Sequence, residues 1–261
     1  MIILDPIVWT PQRYILNTHG INLTYYGFFY TLGFLLSIII VTRLHGNTTN
    51  KEHLVLFMIV LAVGAMIGGR LGFVFCYGGS YYMQNPIEIF KTWKGGISSH
   101  GATLGIVFSI FAFKFYIKKS FFWLLDNALI LSLLSGSLIR IGNFINSEKI
   151  GAATNSNWGV IFKNNSVFGY EPRHPTQLYE SLICAILFFY FLYFFRKTNK
   201  LNGYTSSLIL ISLFGIRYAI GHFFSDSITN TEQVLNLGFV CFGALIFVYC
   251  KTSDNRFRSN S

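Results

Sequence analysis

The sequence predicts an all-α integral membrane protein with about seven transmembrane helices. A polar, partly irregular insertion that faces outward is expected between the fourth and fifth spans. Composition supports this class, since 52% of the residues are hydrophobic and only 11% are charged, whereas soluble domains are about one-quarter charged. Several apolar runs also approach the roughly 20 residues that a helix needs to cross a bilayer. We therefore expect residues 1–261 to form a single polytopic membrane domain.

Seven apolar runs account for most of the chain. The expected spans are residues 25–42, 54–77, 97–116, 121–139, 177–195, 204–224 and 234–249. The second run carries Gly64, Gly68 and Gly72 at four-residue spacing, which places them on one helix face where another helix can approach closely. Within the polar region 140–176, the apolar triplet 160–162 is expected to form a short strand.

Segments outside the spans complete the expected layout. Residues 1–23 carry prolines and aromatic residues that indicate an interfacial segment on the outer surface. The loop 77–96 has an amphipathic character that suits the membrane surface. Residues 118–126, which include Asp126, are expected to form a cytoplasmic turn, and residues 251–261 a disordered cytoplasmic tail.

The net charge of +10 is distributed unevenly between the loops. If the seven spans alternate, 11 of the 20 lysines and arginines fall on one side: Arg43, Lys51, Lys114, Lys118, Lys119, Arg196, Lys197, Lys200, Lys251, Arg256 and Arg258. The positive-inside rule assigns such short basic loops to the cytoplasm. The N-terminus and residues 140–176 are then expected outside and the C-terminus inside. Basic loops beside anionic lipid heads need no nucleic-acid partner, so none is expected.

The cysteines indicate neither a disulfide framework nor a metal site. All four lie in or at the end of apolar spans, and no two form a Cys-x-x-Cys pair: Cys76, Cys184, Cys241 and Cys250. Such residues are typical small apolar packing groups. The chain also lacks a dinucleotide fingerprint and the common motifs of soluble hydrolases and metalloenzymes. We expect no disulfide, no metal and no cofactor.

Three arginines lie in or at the outer ends of spans: Arg70, Arg140 and Arg217. Ionisable groups near the hydrocarbon are costly and are usually kept for function. The spans contain no equal set of acids, which indicates an anionic partner such as a phospholipid head, because a guanidinium can hold a phosphate by two hydrogen bonds. For Arg70, structural pairing is an equal alternative.

Neutral polar groups and one histidine accompany the arginines. Asn143, Asn146 and Gln177 can donate hydrogen bonds to ester or glycerol oxygens, and Tyr26 can donate its hydroxyl. His100 is the side chain whose pKa best suits proton transfer near neutral pH. A lone histidine at the start of a helix is more commonly a structural residue, so its role stays open on the sequence alone.

Several ordered motifs carry a family resemblance. The polar region holds RIGNFINSE at residues 140–148, WGVIF at 158–162 and RHPTQLYE at 173–180. Further motifs are YYG at 25–27, GGRLG at 68–72, GISSHG at 96–101 and FGIR at 214–217. Together they resemble the prolipoprotein diacylglyceryl transferases, integral enzymes of the bacterial cytoplasmic membrane. The resemblance covers roughly residues 25–242, and several motifs in order are more specific than one.

The resemblance implies a reaction and its partners. The family transfers the diacylglyceryl group of phosphatidylglycerol to the lipobox cysteine thiol of a prolipoprotein signal peptide, which is the first step of bacterial lipoprotein maturation. A thioether forms and glycerol phosphate is released. The implied location is the bacterial cytoplasmic membrane, and the implied partners are phosphatidylglycerol, the prolipoprotein and the lipid bilayer.

The matching motifs also carry over the site residues. The implied catalytic residues are Tyr26, His100, Arg140 and Arg217. The implied phosphatidylglycerol-binding residues are Arg140, Asn143, Asn146, Glu148 and Gly151, with Arg70 as a further candidate. Secondary candidates are His174, Gln177, Tyr179 and Glu180, for which the structural alternative is capping of a loop-to-helix junction.

Two points of mechanism stay open at this stage. Such an enzyme must favour the acceptor thiolate and stabilise charge on the departing phosphate. The arginines suit the second task, whereas the first falls either to His100 as a base or to the positive field of Arg140 and Arg217. The family usually follows its last arginine with a glutamate, but residues 221–225 here read GHFFS, which leaves the orientation of Arg217 open.

Two other functions compete with the transferase. One is a channel or transporter with an anion-binding site, although such proteins usually contain internal repeats, and no clear repeat is present here. The other is a family member that binds lipid without activity, as the missing glutamate would allow.

Overall fold

Helices dominate the computed structural model of the chain, which describes residues 6–12, 14–18, 21–92, 96–163, 165, 167, 170–198, 203–226 and 229–259. The helices are α1 (Tyr25–His45), α2 (Lys51–Tyr77), α3 (Gly79–Gln84), α4 (Ser99–Ile117), α5 (Phe121–Ile145), α6 (Thr176–Thr198), α7 (Tyr204–Phe224) and α8 (Asn230–Ser259). A 3₁₀ helix covers Pro86–Phe90. The strands are β1 (Ile7–Trp9), β2 (Tyr14–Thr18), β3 (Ile21–Thr24) and β4 (Val160–Phe162).

Among the described residues, 6 helices are long and apolar enough to cross a membrane: α1, α2, α5, α6, α7 and α8. The apolar part of α4, Gly101–Ile117, is shorter than the others. Each of the seven predicted spans coincides with one of the seven long helices, and the run 204–224 has the same bounds as α7. The predicted class of all-α integral membrane protein is therefore confirmed, while the number of spans stays a prediction.

The chain divides into two compact units. The first contains the chain up to Ser37 together with everything from Asp126 onward, and the second contains residues from Ile38 to Leu125. The first unit holds all four strands and the helices α6, α7 and α8. The second holds α2, α3, the 3₁₀ helix and α4.

Close glycine packing joins α2 to α4 in the second unit. The predicted glycine face of α2 is confirmed, because Gly64, Gly68 and Gly72 lie against Gly101 and Gly105. A Cβ atom on Gly68 would lie 2.8 Å from the Cα of Gly105 and 2.9 Å from its nitrogen. The two helix backbones approach so closely that any side chain at this position would have to displace backbone atoms.

Short strands connect the N-terminal segment of the first unit to the polar insertion. Strand β1 pairs in parallel with β4, with Ile7 opposite Val160, and β2 pairs antiparallel with β3. The predicted strand at residues 160–162 is thus confirmed. The indole of Trp9 donates a hydrogen bond to the carbonyl of Phe144 at 3.2 Å, which fixes the N-terminal segment beside the end of α5.

Asp126 has a different place from the one predicted. Its side chain is fully buried, and it accepts hydrogen bonds from the backbone N–H groups of Gly203 (3.0 Å) and Ser206 (2.7 Å) and from the Ser206 hydroxyl. The interpretation of Asp126 as part of an ordinary polar turn was therefore wrong. Unpaired N–H groups at the start of α7 need an acceptor, and this carboxylate supplies it.

Helix α8 continues through Ser259, so the expectation of a disordered tail from residue 251 onward was wrong. The residues after Cys250 include no glycine or proline. A helix that has already formed across a span can therefore extend through them at little cost, since propagation is much easier than nucleation.

Candidate active site

Two of the predicted arginines meet at one carboxylate in the first unit. Arg140, near the end of α5, places Nη2 at 2.9 Å from Oε2 of Glu180 in the first turns of α6. Arg217, on α7, places Nε at 3.3 Å from the same oxygen. The side chains of Arg140 and Glu180 are 16% and 13% exposed, and that of Arg217 is 37% exposed. Three helices thus bring together two cations and one anion in a largely enclosed cluster.

The cluster bears on two inferences from the sequence: that the arginines lack matching acids, and that the orientation of Arg217 is open. The arginines do have an acid beside them, because Glu180 pairs with both Arg140 and Arg217 instead of capping the start of α6. Glu180 also orients Arg217 without the family's glutamate, assisted by the ring of Phe214, whose centroid lies 5.8 Å from the guanidinium carbon. Two guanidinium groups and one carboxylate leave a net charge of about +1, which is a suitable environment for an anion.

A second group of candidates forms the turn that follows α5. The amides of Asn143 and Asn146 donate to the two carboxylate oxygens of Glu148, at 3.1 and 3.3 Å. Gln177 is fully buried and donates from Nε2 to the backbone carbonyl of Glu148 at 2.6 Å. The turn includes Ser147 at a φ of +55°. The three amides therefore hold Glu148, whose side chain remains exposed.

Tyr26 lies between these two groups. It is the second residue of α1, and a Cβ atom on Gly142 of α5 would lie 3.1 Å from its Cα and 3.3 Å from its ring. Glu148 and Arg140 both act electrostatically on its hydroxyl. The Tyr26 side chain is 37% exposed, so the hydroxyl can serve a ligand that contacts either group.

Gly151 is fixed by close packing at the junction between the insertion and α6. Its N–H donates to the carbonyl of His174 at 3.0 Å. A Cβ atom here would lie 2.6 Å from the carbonyl oxygens of both His174 and Phe224, and 2.7 Å from the Thr176 methyl group. Because two of these neighbours are backbone atoms, only glycine fits, and the role visible in the structure is close packing.

His174, Tyr179 and Trp158 form a hydrogen-bonded chain outside the arginine cluster. The Trp158 indole donates to the Tyr179 hydroxyl oxygen at 2.9 Å, and that oxygen lies 3.1 Å from Nδ1 of His174. An indole N–H can only donate, so the Tyr179 oxygen accepts from Trp158 and its own proton is free to be donated to Nδ1 of a neutral His174. Burial lowers the pKa of His174, which favours this neutral form.

Arg70 and His100, the two remaining candidates, belong to the second unit. Arg70 is 4% exposed and donates to the backbone carbonyls of Glu88 (2.6 Å), Ile89 (2.8 Å) and Gly96 (3.2 Å). These contacts support the structural alternative for Arg70, which fastens the loop at residues 88–96 to α2. His100 lies in the first turn of α4, but its side chain is outside the part that the structure describes.

Arg173 and Trp158 lie at the site although the sequence analysis gave them no role. Arg173 donates to the carbonyl of Gly151 at 2.9 Å and forms ion pairs with Glu171 and Asp226. The only sequence signal for these residues was their position inside the motifs 158–162 and 173–180. No cluster of three or more potential metal ligands occurs in the described ranges.

Comparison with known proteins identifies the family. The family model of prolipoprotein diacylglyceryl transferase matches residues 13–249. A phosphatidylglycerol–prolipoprotein diacylglyceryl transferase of Tolumonas auensis is 32% identical over 93% of this chain and 96% of its own. Proteins of the same name from Chlamydia trachomatis and Rickettsia typhi are 36% and 38% identical, over 89% and 75% of this chain and 92% and 77% of their own. The chain therefore belongs to the prolipoprotein diacylglyceryl transferase family.

Proposed function

We propose that this protein transfers the diacylglyceryl group of phosphatidylglycerol to the lipobox cysteine thiol of a prolipoprotein. Membership of the family supports the reaction, and the names of the relatives specify both substrates. The observation that carries the proposal is the convergence of Arg140 and Arg217 on one carboxylate near the ends of apolar helices.

The reaction is a displacement at a glycerol carbon. The sulfur of the acceptor attacks the carbon that bears the phosphate ester, the S–C bond forms, and the C–O bond to phosphate breaks. The electron pair of that bond leaves on the phosphate oxygen, and the thiol proton passes to a base or to water. The products are the thioether and glycerol phosphate. Negative charge therefore grows on the phosphate as the reaction proceeds.

Arg140 and Arg217 would stabilise that growing charge. No hydrogen-bond partner other than Glu180 is present for either guanidinium among the described residues, so their remaining N–H groups are available to phosphate oxygens. Preformed donors that are aimed at developing charge lower the barrier without reorganising during the reaction. Arg217 is the more exposed of the two, so it would meet the lipid first.

The Glu148 turn would bind the other half of the lipid head. The amides of Asn143 and Asn146 each donate one N–H to Glu148, and each NH₂ group has a second N–H that can serve the lipid. The exposed carboxylate can accept hydrogen bonds from the glycerol hydroxyls.

Two alternative mechanisms for activating the acceptor thiol can be tested, one with His100 as a base and one with the positive field of the arginines. If His100 is the base, His100→Gln should lower the rate about 10²–10⁴-fold. If the positive field of the arginine cluster lowers the thiol pKa, the same change should be mild. Initial rates at saturating acceptor peptide separate the two mechanisms. A near-wild-type rate would remove His100 from the catalytic residues.

The proposed location is the bacterial cytoplasmic membrane, with the arginine cluster on the outer side. The presence of several apolar helices makes the chain a multi-pass membrane protein. Its orientation follows from the basic loops at residues 43–51, 114–119 and 196–200, which the positive-inside rule places in the cytoplasm. Secreted prolipoproteins would then meet the enzyme on the side where their lipobox emerges.

A transfer assay tests the function directly. The purified protein is incorporated into vesicles that contain phosphatidylglycerol labelled in its acyl chains, together with a peptide that carries a lipobox cysteine. We expect label on the peptide, stable to base as a thioether-linked group, and none when serine replaces the acceptor cysteine. Binding of phosphatidylglycerol without transfer would indicate an inactive lipid-binding member. Anion flux across the vesicle wall without transfer would indicate a transporter.

A further inference from the structure

We propose that Glu180 sets the net charge of the arginine pair so that the site retains a phosphodiester and releases a phosphomonoester. The substrate phosphatidylglycerol is a phosphodiester, and the product glycerol phosphate is a phosphomonoester. This inference rests on the proposed function and assigns Glu180 a specificity role within that same site.

The geometry of the carboxylate is the first support. One oxygen, Oε2, lies 2.9 Å from Nη2 of Arg140 and 3.3 Å from Nε of Arg217. These ion pairs involve Nη2 of Arg140 and Nε of Arg217, and the carboxylate neutralises one of the two positive charges.

Burial of the cluster is the second support for the proposal, because an uncompensated charge is costly where solvent screens it weakly. Glu180 and Arg140 are only 13% and 16% exposed, so solvent screens the cluster weakly. The two arginines and Glu180 together carry about +1 before a ligand binds; Glu148, the other carboxylate of the site, is exposed to solvent and is therefore screened more strongly. A phosphodiester monoanion brings the total to zero, whereas a phosphomonoester, whose second pKa is about 6, brings it to about −1 above that pH.

The consequence is a bias toward product release. Breaking the C–O bond converts a monoanion into a dianion, so the product carries one negative charge more than the cluster can match. Without Glu180 the cluster would carry about +2 and would match the dianion instead. An enzyme of that kind would bind its product tightly, and release rather than chemistry would limit turnover.

Affinity measurements with two soluble head-group analogues test the inference. Glycerophosphoglycerol is the phosphodiester probe, and glycerol phosphate is the phosphomonoester probe. Their dissociation constants are measured at pH 8 on the full-length protein in detergent. We expect the wild type to bind the diester at least as tightly as the monoester. We expect Glu180→Gln to shift the ratio of the two constants about tenfold or more toward the monoester, because one full charge acts at short range.

Kinetics supply a readout that a purely structural role would not change. In the transfer assay, Glu180→Gln should be inhibited by glycerol phosphate at a concentration at least about tenfold lower than the wild type. Its kcat should fall while KM for phosphatidylglycerol does not rise. Glu232→Gln is the matched control, because it removes one carboxylate whose ion-pair partner within the described ranges is the exposed Lys149, and it should leave both affinities unchanged.

Each outcome bears on the inference separately from the proposed function. An unchanged affinity ratio in Glu180→Gln would overturn it, as would a variant that lost stability and activity with no change in product inhibition. If the variant fails to fold, the wild type still decides, because a tenfold preference for the monoester would contradict the charge balance. If the wild type transfers no lipid but shows the expected affinities, the transferase proposal fails and the charge role of Glu180 stands.

Discussion

At the scale of single residues, arginine side chains occupy two different environments in this protein. Arg70 directs its guanidinium to backbone carbonyls of the loop at residues 88–96. Arg140 instead contacts one carboxylate that it shares with Arg217. A guanidinium surrounded by carbonyls is satisfied and structural, whereas one that shares an acid keeps donors for a ligand. Position near a span end alone did not distinguish these two roles.

Arg140→Lys should therefore lose most transfer activity while the protein still inserts into the membrane. Lysine keeps the charge that Glu180 requires, but it lacks the planar fork that can bind a phosphate with two hydrogen bonds. Loss of one well-placed donor to developing charge typically costs about 10²–10³ in rate. The measurement is the initial rate of transfer at equal membrane levels of each variant.

Arg70→Lys is the comparison for that prediction. A lysine cannot reach the three carbonyls that Arg70 contacts, so we expect a lower melting temperature and only a modest loss of turnover. Full activity of Arg140→Lys would refute the assignment of the phosphate fork to Arg140, whatever the result for Arg70.

His174 should titrate below the usual histidine value of about 6.5, because burial lowers its pKa. As the pH falls, the unfolded chain then takes up the proton first. Stability is complete above about pH 6.5 and declines as the pH falls through the folded pKa. Melting temperatures between pH 8 and pH 5 should show this loss in the wild type, and His174→Gln should lack that component. A histidine resonance that titrates at or above 6.5 would contradict the prediction.

At the scale of elements, α2 and α4 depend on the absence of side chains where they meet. Gly68→Ala should destabilise the second unit by about 1–3 kcal/mol, because its Cβ would overlap backbone atoms of Gly105 and overpacking of this kind strains both helices. The thermal midpoint in detergent measures the effect. Gly238→Ala in α8 is the matched control, since nothing lies within 4 Å of its Cβ position and alanine favours a helix.

Local sequence patterns were sufficient to predict these elements. They did not predict the contacts between residues that are far apart in the sequence. The helices follow from apolar runs of spanning length, and the glycine face of α2 follows from four-residue spacing. The parallel pairing of β1 with β4 joins residues about 150 positions apart, and no local signal specifies it. The cap that Asp126 gives to α7 also joins distant residues, 77 and 80 positions apart in the sequence.

The same distinction between local pattern and distant contact applies to the candidate site. Sequence motifs named Arg140, Arg217 and Glu180, but the ion pairs between them depend on how three helices pack. The amides of Asn143 and Asn146 were expected to contact lipid, and in the structure each donates one N–H to Glu148. Residue type and position in a motif thus predicted membership of the site, whereas the partner of each side chain required the fold.

At the scale of the whole molecule, the distribution of basic residues predicts how the chain crosses the membrane. The lysine and arginine residues of loops 114–119 and 196–200 and those after residue 250 fall on one side if the spans alternate. Anionic lipid heads and the insertion machinery retain such loops in the cytoplasm. The insertion that carries Glu148 and Arg173 would then lie on the outer side, where an exported acceptor is accessible.

Single-cysteine labelling in intact cells measures this orientation. In a background without the four native cysteines, Val167→Cys should react with an impermeant maleimide from outside, because Val167 is 79% exposed in the polar insertion. Lys119→Cys and Ser259→Cys should react only after the cells are permeabilised, since the positive-inside rule retains both segments in the cytoplasm. All three must react after permeabilisation, which confirms that each thiol is accessible. External labelling at position 259 but not at position 167 would reverse the orientation and place the arginine cluster on the wrong side for an exported prolipoprotein.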